Sequence, residues 1–188
     1  MPTKHPSAMP FATYSAQLDE ALGIPVTVWS TDECVTRIEL RARPDVEHTP
    51  PAERPPVLEA ALRQIAEYAE GRRTRFGFAW RLPSRLTDFQ QAVYERLANV
   101  EFGELTTYGE IANAVDRPGS ARAVGQAMGA NPLPLVLPCH RVVGSGGRLT
   151  GFGSGVPSKV RLLELEGRRA SGDTAGSTVR MESRNEAG

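Results

Sequence analysis

The stretch TYGEIANAVDRPGSARAVGQAMGAN, residues 107–131, decides the architecture of the chain. Thr107 and Glu110 stand at the Thr-x-x-Glu spacing of a capping box, in which each side chain satisfies a backbone N–H of the other, so a helix is predicted to begin here. Arg-Pro-Gly-Ser at 117–120 is a turn, and Ser120 is placed as the N-cap of a second helix. That second helix, ARAVGQAMGAN, is made mostly of small residues and carries Arg122 in its first turn. Two short helices across a tight Pro-Gly turn form a helix-turn-helix. Its second helix offers almost nothing to read base edges in a major groove, which argues against a sequence-specific transcription factor.

Working outward, SRLTDFQQAVYERLANV (84–100) reads as a helix with Thr87 as N-cap and Phe89, Val93 and Leu97 as its apolar stripe. Before Pro83 the pattern changes. IPVTVWS (24–30) and CVTRIELRA (34–42) read as a β-hairpin, and RFGFAWRL (75–82) as a third strand. Between them lie a proline-rich loop (43–56) and the amphipathic helix VLEAALRQIAEYAEGRR (57–73). Its apolar face is Leu58, Ala61, Leu62, Ile65 and Ala69, and Gly71 ends it. Downstream, SKVRLLELEG (158–167) is a helix with Pro157 near its start and Gly167 at its end. The expected organisation is an α/β domain at 1–82, with its first 15 or so residues loose, a mainly helical domain at 83–167, and a polar, disordered tail at 168–188.

The 188 residues carry no formal net charge, so a nucleic-acid partner must be held by a local surface rather than by a global field. No apolar run approaches the roughly 20 residues of a membrane span, and the first residues lack a secretory apolar core, so a cytoplasmic protein is expected. Two cysteines, Cys34 and Cys139, are too few for a disulfide framework or a four-thiolate zinc site. Lys4 and Lys159 are the only lysines in an arginine-rich chain.

Cys139 sits in NPLPLVLPCHRVVGSGG (131–147). A cysteine after an apolar run is often a small buried hydrophobe. Against that reading stand its position after Pro138, its cationic neighbours His140 and Arg141, which favour a thiolate, and the glycines that follow. A hydrolase dyad does not fit. Adjacent residues of an extended chain point to opposite faces, so His140 reaches the sulfur only through a water or a sharp turn. His5 and His48 lie in segments expected to be loose.

NPLPLVLPCHRVVG, preceded by FGELTTYGEIA and RPGSARAVGQAMGANP and followed by SKVRLLELEG, resembles the O6-alkylguanine-DNA alkyltransferases, also called methylated-DNA–protein-cysteine methyltransferases. The close match covers roughly residues 85–167; the N-terminal part agrees in layout more than in letters. The resemblance implies a ribonuclease H-like α/β domain with a small sheet and a helix, then a mainly α domain with a winged helix-turn-helix. It implies single-turnover repair, in which an alkylated guanine is flipped from the duplex and its alkyl group passes irreversibly to Cys139. His140 would act as base through a water, with Glu166 orienting it, Tyr108 donating to the guanine ring, Lys159 supporting the thiolate and Asn131 as hinge. The carbonyls of Cys139 and Val142, the N–H of Gly153, Phe152 and Arg141 would form the substrate site. Arg122 would enter the minor groove as a finger, with Ser120, Ala121, Ala123 and Gly125 close to the DNA.

The resemblance further implies double-stranded DNA as a partner bound with little sequence preference, self-association along it, no membrane, no cofactor and no metal. Phe152 departs from the family's usual tyrosine. The chain lacks the extra Cys and His of zinc-bearing members and the sensor domain of the adaptive regulator. Alkyltransferase-like proteins, which bind lesions without repairing them, lack the acceptor cysteine that is present here.

Overall fold

The computed structural model describes residues 14–19 and 22–180. Strands β1 (Tyr14–Leu18), β2 (Val26–Ser30) and β3 (Val35–Glu39) form an antiparallel sheet in that order. Ala16, Val28 and Ile38 are register partners across the three strands and all are buried. Helix α1 (Pro56–Ala69) lies against the sheet and buries Leu58, Ala61, Leu62 and Ile65, the stripe predicted from its spacing. Gly71 ends it in the left-handed region at φ +73°. The Gly71 and Arg72 N–H groups donate back to the Tyr68 and Glu67 carbonyls, a Schellman closure.

The third strand is not where the sequence places it. Residues 75–82 contribute a single bridge, Val35 to Trp80, because Phe76 packs on Tyr68 and Phe78 on Phe76 instead of extending the sheet. The edge is taken by β1, which overlaps the segment expected to be loose. Its Ser15 exchanges hydrogen bonds with Thr49 of the proline-rich loop. Residues 1–13 lie outside the described part of the chain.

Beyond Pro83 the chain is mainly helical: α2 (Asp88–Ala98), α3 (Tyr108–Ala114), α4 (Ala121–Gly129) and α5 (Val156–Leu165). Thr87 caps α2, and Thr107 with Glu110 closes the predicted capping box on α3. Ser120 is different: its backbone is not extended (φ −87°, ψ 23°) and its hydroxyl makes no capping bond, so α4 begins without the predicted cap. The two-residue strands β4 (Thr106–Thr107) and β5 (Val142–Val143) pair in parallel and set the start of α3 beside the segment that carries Cys139.

Apolar packing is continuous from Ala16 to Leu162 through Tyr68, Leu97, Ile111 and Leu137. A smaller cluster, Val143, Leu149, Val160, Leu163 and Val179, corrects the expectation of a disordered tail for residues 168–180; residues 181–188 lie outside the described part of the chain. Residues 168–180 fold back, Ser177 and Gly176 bond Leu149, and Val179 bonds Gly147, because Val179 covers an apolar patch that would otherwise face water. No helix among the described residues is long and apolar enough to cross a membrane.

Candidate active site

The segment before Cys139 is not a strand. Pro132, Pro134 and Pro138 withhold amide donors, and the chain folds into turns that bury Leu133, Leu135 and Leu137. Asn131 spans them: its carboxamide N–H donates to the Leu137 carbonyl (2.7 Å), and its oxygen accepts from Leu133 N–H (3.0 Å). Leu135 is held at φ +77°, a left-handed conformation costly for a side chain of this size. Cys139, His140 and Arg141 then form one turn of 3-10 helix. At about three residues per turn, successive side chains diverge by about a third of a circle. The adjacent thiol and imidazole can therefore face different surroundings.

His140 faces inward and is fully buried. Its Nε2 lies 2.9 Å from Glu166 Oε1, so Nε2 carries the proton and Nδ1 holds the lone pair in the neutral ring. Nδ1 is buried and makes no hydrogen bond to another protein atom among the described residues. Glu166 is the C-cap of α5, fixed in place by a second Schellman closure at Gly167, φ +80°.

The carboxylate accepts from every side. Arg141 donates through Nε and Nη2 (2.9 and 2.8 Å), Gly103 through its N–H (3.0 Å) and Tyr68 through its hydroxyl (2.5 Å). Burial pushes Glu166 up, but His140 and Arg141 outweigh it, and the carboxyl sits well below the usual range. Burial also lowers His140 against the pull of Glu166. Arg141 does not belong to a substrate surface: its guanidinium is buried on Glu166 and on the Val100 carbonyl (2.5 Å). That corrects the sequence expectation, and the reason is charge pairing in a dry interior.

Lys159, on α5, is also fully buried and donates to the Val142 carbonyl, so one lone pair of that predicted guanine acceptor is engaged within the protein. Burial lowers its ammonium to about 8, and Cys139 works in the opposite sense. Burial raises the Cys139 thiol, while Asn131, Lys159 and nearby backbone N–H groups oppose the rise. The sum is upward, so the resting sulfur is protonated at neutral pH.

Cys139 opens on a cavity of about 330 Å³. Tyr108, Met128 and Phe152 supply its side-chain walls, and Gly125, Gly129, Gly151 and Gly153 its bare edges. Tyr108 is the first residue of α3, and its hydroxyl meets Thr150 Oγ1 at 2.7 Å. The predicted DNA contacts do not line the cavity except for Gly125; Ala121 and Ala123 are half-buried and Arg122 points to solvent. Tyr94 holds the far end of α4 by donating to the Ala127 carbonyl at 2.9 Å.

The structure thus brings Asn131, Cys139, His140, Lys159 and Glu166 into one connected site and gathers Tyr108, Phe152 and Gly153 at its mouth. The sequence reading missed Met128, Gly129 and Gly151 on the cavity, Thr150 on the Tyr108 hydroxyl, and Tyr68 and Gly103 on Glu166. Gly129 and Gly151 lie close to predicted site residues and were within reach. Tyr68, 98 residues from its partner, gave no local signal.

A buried sulfur at the edge of a cavity, with its neighbouring imidazole anchored on a carboxylate from behind, is the arrangement in which a cysteine nucleophile can be built. Residues 88–168 match the family model described as the DNA-binding domain of 6-O-methylguanine DNA methyltransferase. The methylated-DNA–protein-cysteine methyltransferase of Mycobacterium tuberculosis (strain ATCC 25618 / H37Rv) is 46% identical over 119 residues, 63% of this chain and 71% of that protein. The inducible methylated-DNA–protein-cysteine methyltransferase of Bacillus subtilis (strain 168) is 41% identical over 114 residues, 61% of this chain and 63% of that one. The crystal structure of Mycobacterium tuberculosis OGT in complex with DNA superposes with a TM-score of 0.70 at 38% identity, covering 81% of this chain and 92% of that one. The chain belongs to the methylated-DNA–protein-cysteine methyltransferase family.

Proposed function

We propose that Cys139 is the acceptor through which this protein repairs DNA, taking the alkyl group of O6-alkylguanine directly and once per molecule. The observation that carries the reading is the Cys139 sulfur at the cavity, in a chain of this family. In the step, a carbon–sulfur bond forms as the carbon–O6 bond breaks, and the electron pair leaves on guanine O6. The thiol proton passes through a water to His140 Nδ1, and Glu166 stabilises the imidazolium. Tyr108 donates to the guanine ring and offsets the charge that develops there. Displacement at an alkyl carbon by a thiolate needs no cofactor, and the thioether product has no route back, so the protein is consumed.

A base in the stack hides its O6 substituent, so the guanine must be flipped into the cavity. The bare glycine edges suit a flat ring, Phe152 walls the alkyl group, Gly153 N–H faces O6, and the Cys139 and Val142 carbonyls accept from the guanine amino group. Asn131 links α4 to the acceptor turn. We read α3 and α4 as a helix-turn-helix whose wing is the 142–150 segment, following a ribonuclease H-like unit that ends near Pro83. α4 enters the minor groove with Arg122 as finger and Ser120, Ala121, Ala123 and Gly125 near the backbone. The small residues permit close approach and little sequence preference. The related Mycobacterium tuberculosis protein has been crystallised with DNA, which supports a duplex partner here. Loop 43–56 is our candidate contact for self-association along DNA, and the cytoplasm our expected compartment.

Intact-mass measurement after incubation with a duplex carrying O6-methylguanine tests the assignment. The expected result is a gain of one methyl group, mapped to Cys139, with no further turnover. An unchanged mass for folded protein overturns it, and a methyl on Cys34 moves the acceptor elsewhere.

A further inference from the structure

Glu166 is held by more donors than orientation of one imidazole requires, and one of them comes from a part of the chain remote in sequence. Tyr68 lies in the last turn of α1, the helix that covers the three-stranded sheet. It has no solvent exposure. Its ring is locked between Phe76 (centroids 5.4 Å, tilted) and Phe102 (5.9 Å, edge-on), so the hydroxyl has one direction to point. It donates to Glu166 Oε1 at 2.5 Å, the same oxygen that meets His140 Nε2 at 2.9 Å. Phe102 in turn lies under the Arg141 guanidinium, 6.0 Å from its carbon, and the adjacent Gly103 donates to Glu166 Oε2. The aromatic cluster and the carboxylate network are therefore one packed unit.

We propose that Tyr68 is a positioning residue for alkyl transfer: its hydroxyl fixes the Glu166 oxygen that aims the His140 imidazole, so the sheet-and-α1 part of the chain is built into the acceptor site. This rests on the reading of Cys139 as acceptor. The hydroxyl also sets how much negative charge Oε1 keeps for the imidazole. The groups facing this pair are Tyr68 from α1, the Gly103 N–H, Arg141 from the acceptor turn, and Lys159 from α5. Without the Tyr68 donor, Oε1 attracts the imidazole proton more strongly. His140 then stays protonated to higher pH, and Nδ1 is available for the thiol proton only above that point.

Tyr68→Phe keeps the ring and removes the hydroxyl. The experiment compares it with the parent protein and with Ile65→Val, a packing loss on the same helix, using single-turnover transfer from an O6-methylguanine duplex across pH, duplex affinity and thermal unfolding. The expected result for Tyr68→Phe is transfer about tenfold slower, the size of one lost hydrogen bond to a charged group. Duplex affinity should be unchanged and the acid limb of the pH–rate profile displaced to higher pH. Ile65→Val should lower the unfolding temperature without moving the limb. A Tyr68→Phe profile that superposes on the parent's, or one that is slower with its limb in place, overturns the proposal. Failure of the parent itself to gain a methyl group overturns the acceptor reading instead, so the two failures are distinct.

Discussion

The two sides of Cys139 are built differently. Behind it, His140, Arg141, Lys159 and Glu166 are buried, joined by short hydrogen bonds and charge pairs, and tied to Tyr68 and Gly103. In front, the cavity is edged by glycines, the hydroxyl of Tyr108 on its wall meets Thr150, and Arg122 is exposed on α4. On the reading proposed above, the rear aligns a proton transfer, which tolerates little displacement. On the same reading, the front admits a flat base. Charge-paired, hydrogen-bonded packing is concentrated behind the sulfur, and the cavity side is left bare.

Substitutions can break this contrast. The largest effect belongs to Glu166→Gln, which leaves the Arg141 cation buried without its partner and should destabilise the fold by about 3–5 kcal/mol in urea unfolding. The pH dependence follows from the same group. Its folded value lies well below the 4.5 of a free carboxyl, so the stability it contributes is present above about pH 4.5 and is lost as pH falls further. His140, lowered from 6.5 by burial, acts in the same sense below that pH. Acid titration followed by circular dichroism should show a shallower loss in Glu166→Gln than in the parent; an identical acid slope would mean that the carboxylate is not what acid removes.

Lys159→Met has the opposite sign. A lysine depressed from 10.5 to about 8 is held at a cost below pH 8, a cost relieved as pH rises through that window. Methionine should stabilise the fold at neutral pH by about 1–2 kcal/mol while slowing alkyl transfer, because the thiolate loses its cation. A variant that is both less stable and equally fast would contradict the assignment. The smallest effect on stability is expected at the front. Arg122→Ala should change unfolding by less than about 0.5 kcal/mol, yet repair of duplex DNA should fall much further than reaction with free benzylguanine. Equal losses on both substrates would remove the finger role.

The contrast also explains what could be read in advance. Features governed by neighbours in sequence were legible: the capping box at Thr107, the apolar stripe of α1, the glycine stops at 71 and 167, and the Cys139–His140 pair itself. Features governed by distant partners were not. β1 has no β-branched residue, and its place comes from pairing with β2 and from Thr49. Arg141 looked like a substrate contact because its sequence neighbours are functional, whereas its position is set by a carboxylate 25 residues away. Residues 168–180 looked disordered by composition, but Val179 packs into the smaller cluster and backbone hydrogen bonds to Gly147 and Leu149 hold the segment. Ser120 had the right letter for a cap, but the turn before it leaves its backbone unextended.

The sulfur of the proposed acceptor is shielded before it is used. A reagent that works once has a shelf life, and every stray oxidant or electrophile it meets shortens that life. Cys139 is only 7% exposed and its thiol is raised rather than lowered by its surroundings. Since thiolates, not thiols, react, a thiol raised by burial is a poor target for stray electrophiles, and in the reaction proposed above it gives up its proton only once an alkylated guanine is in the cavity.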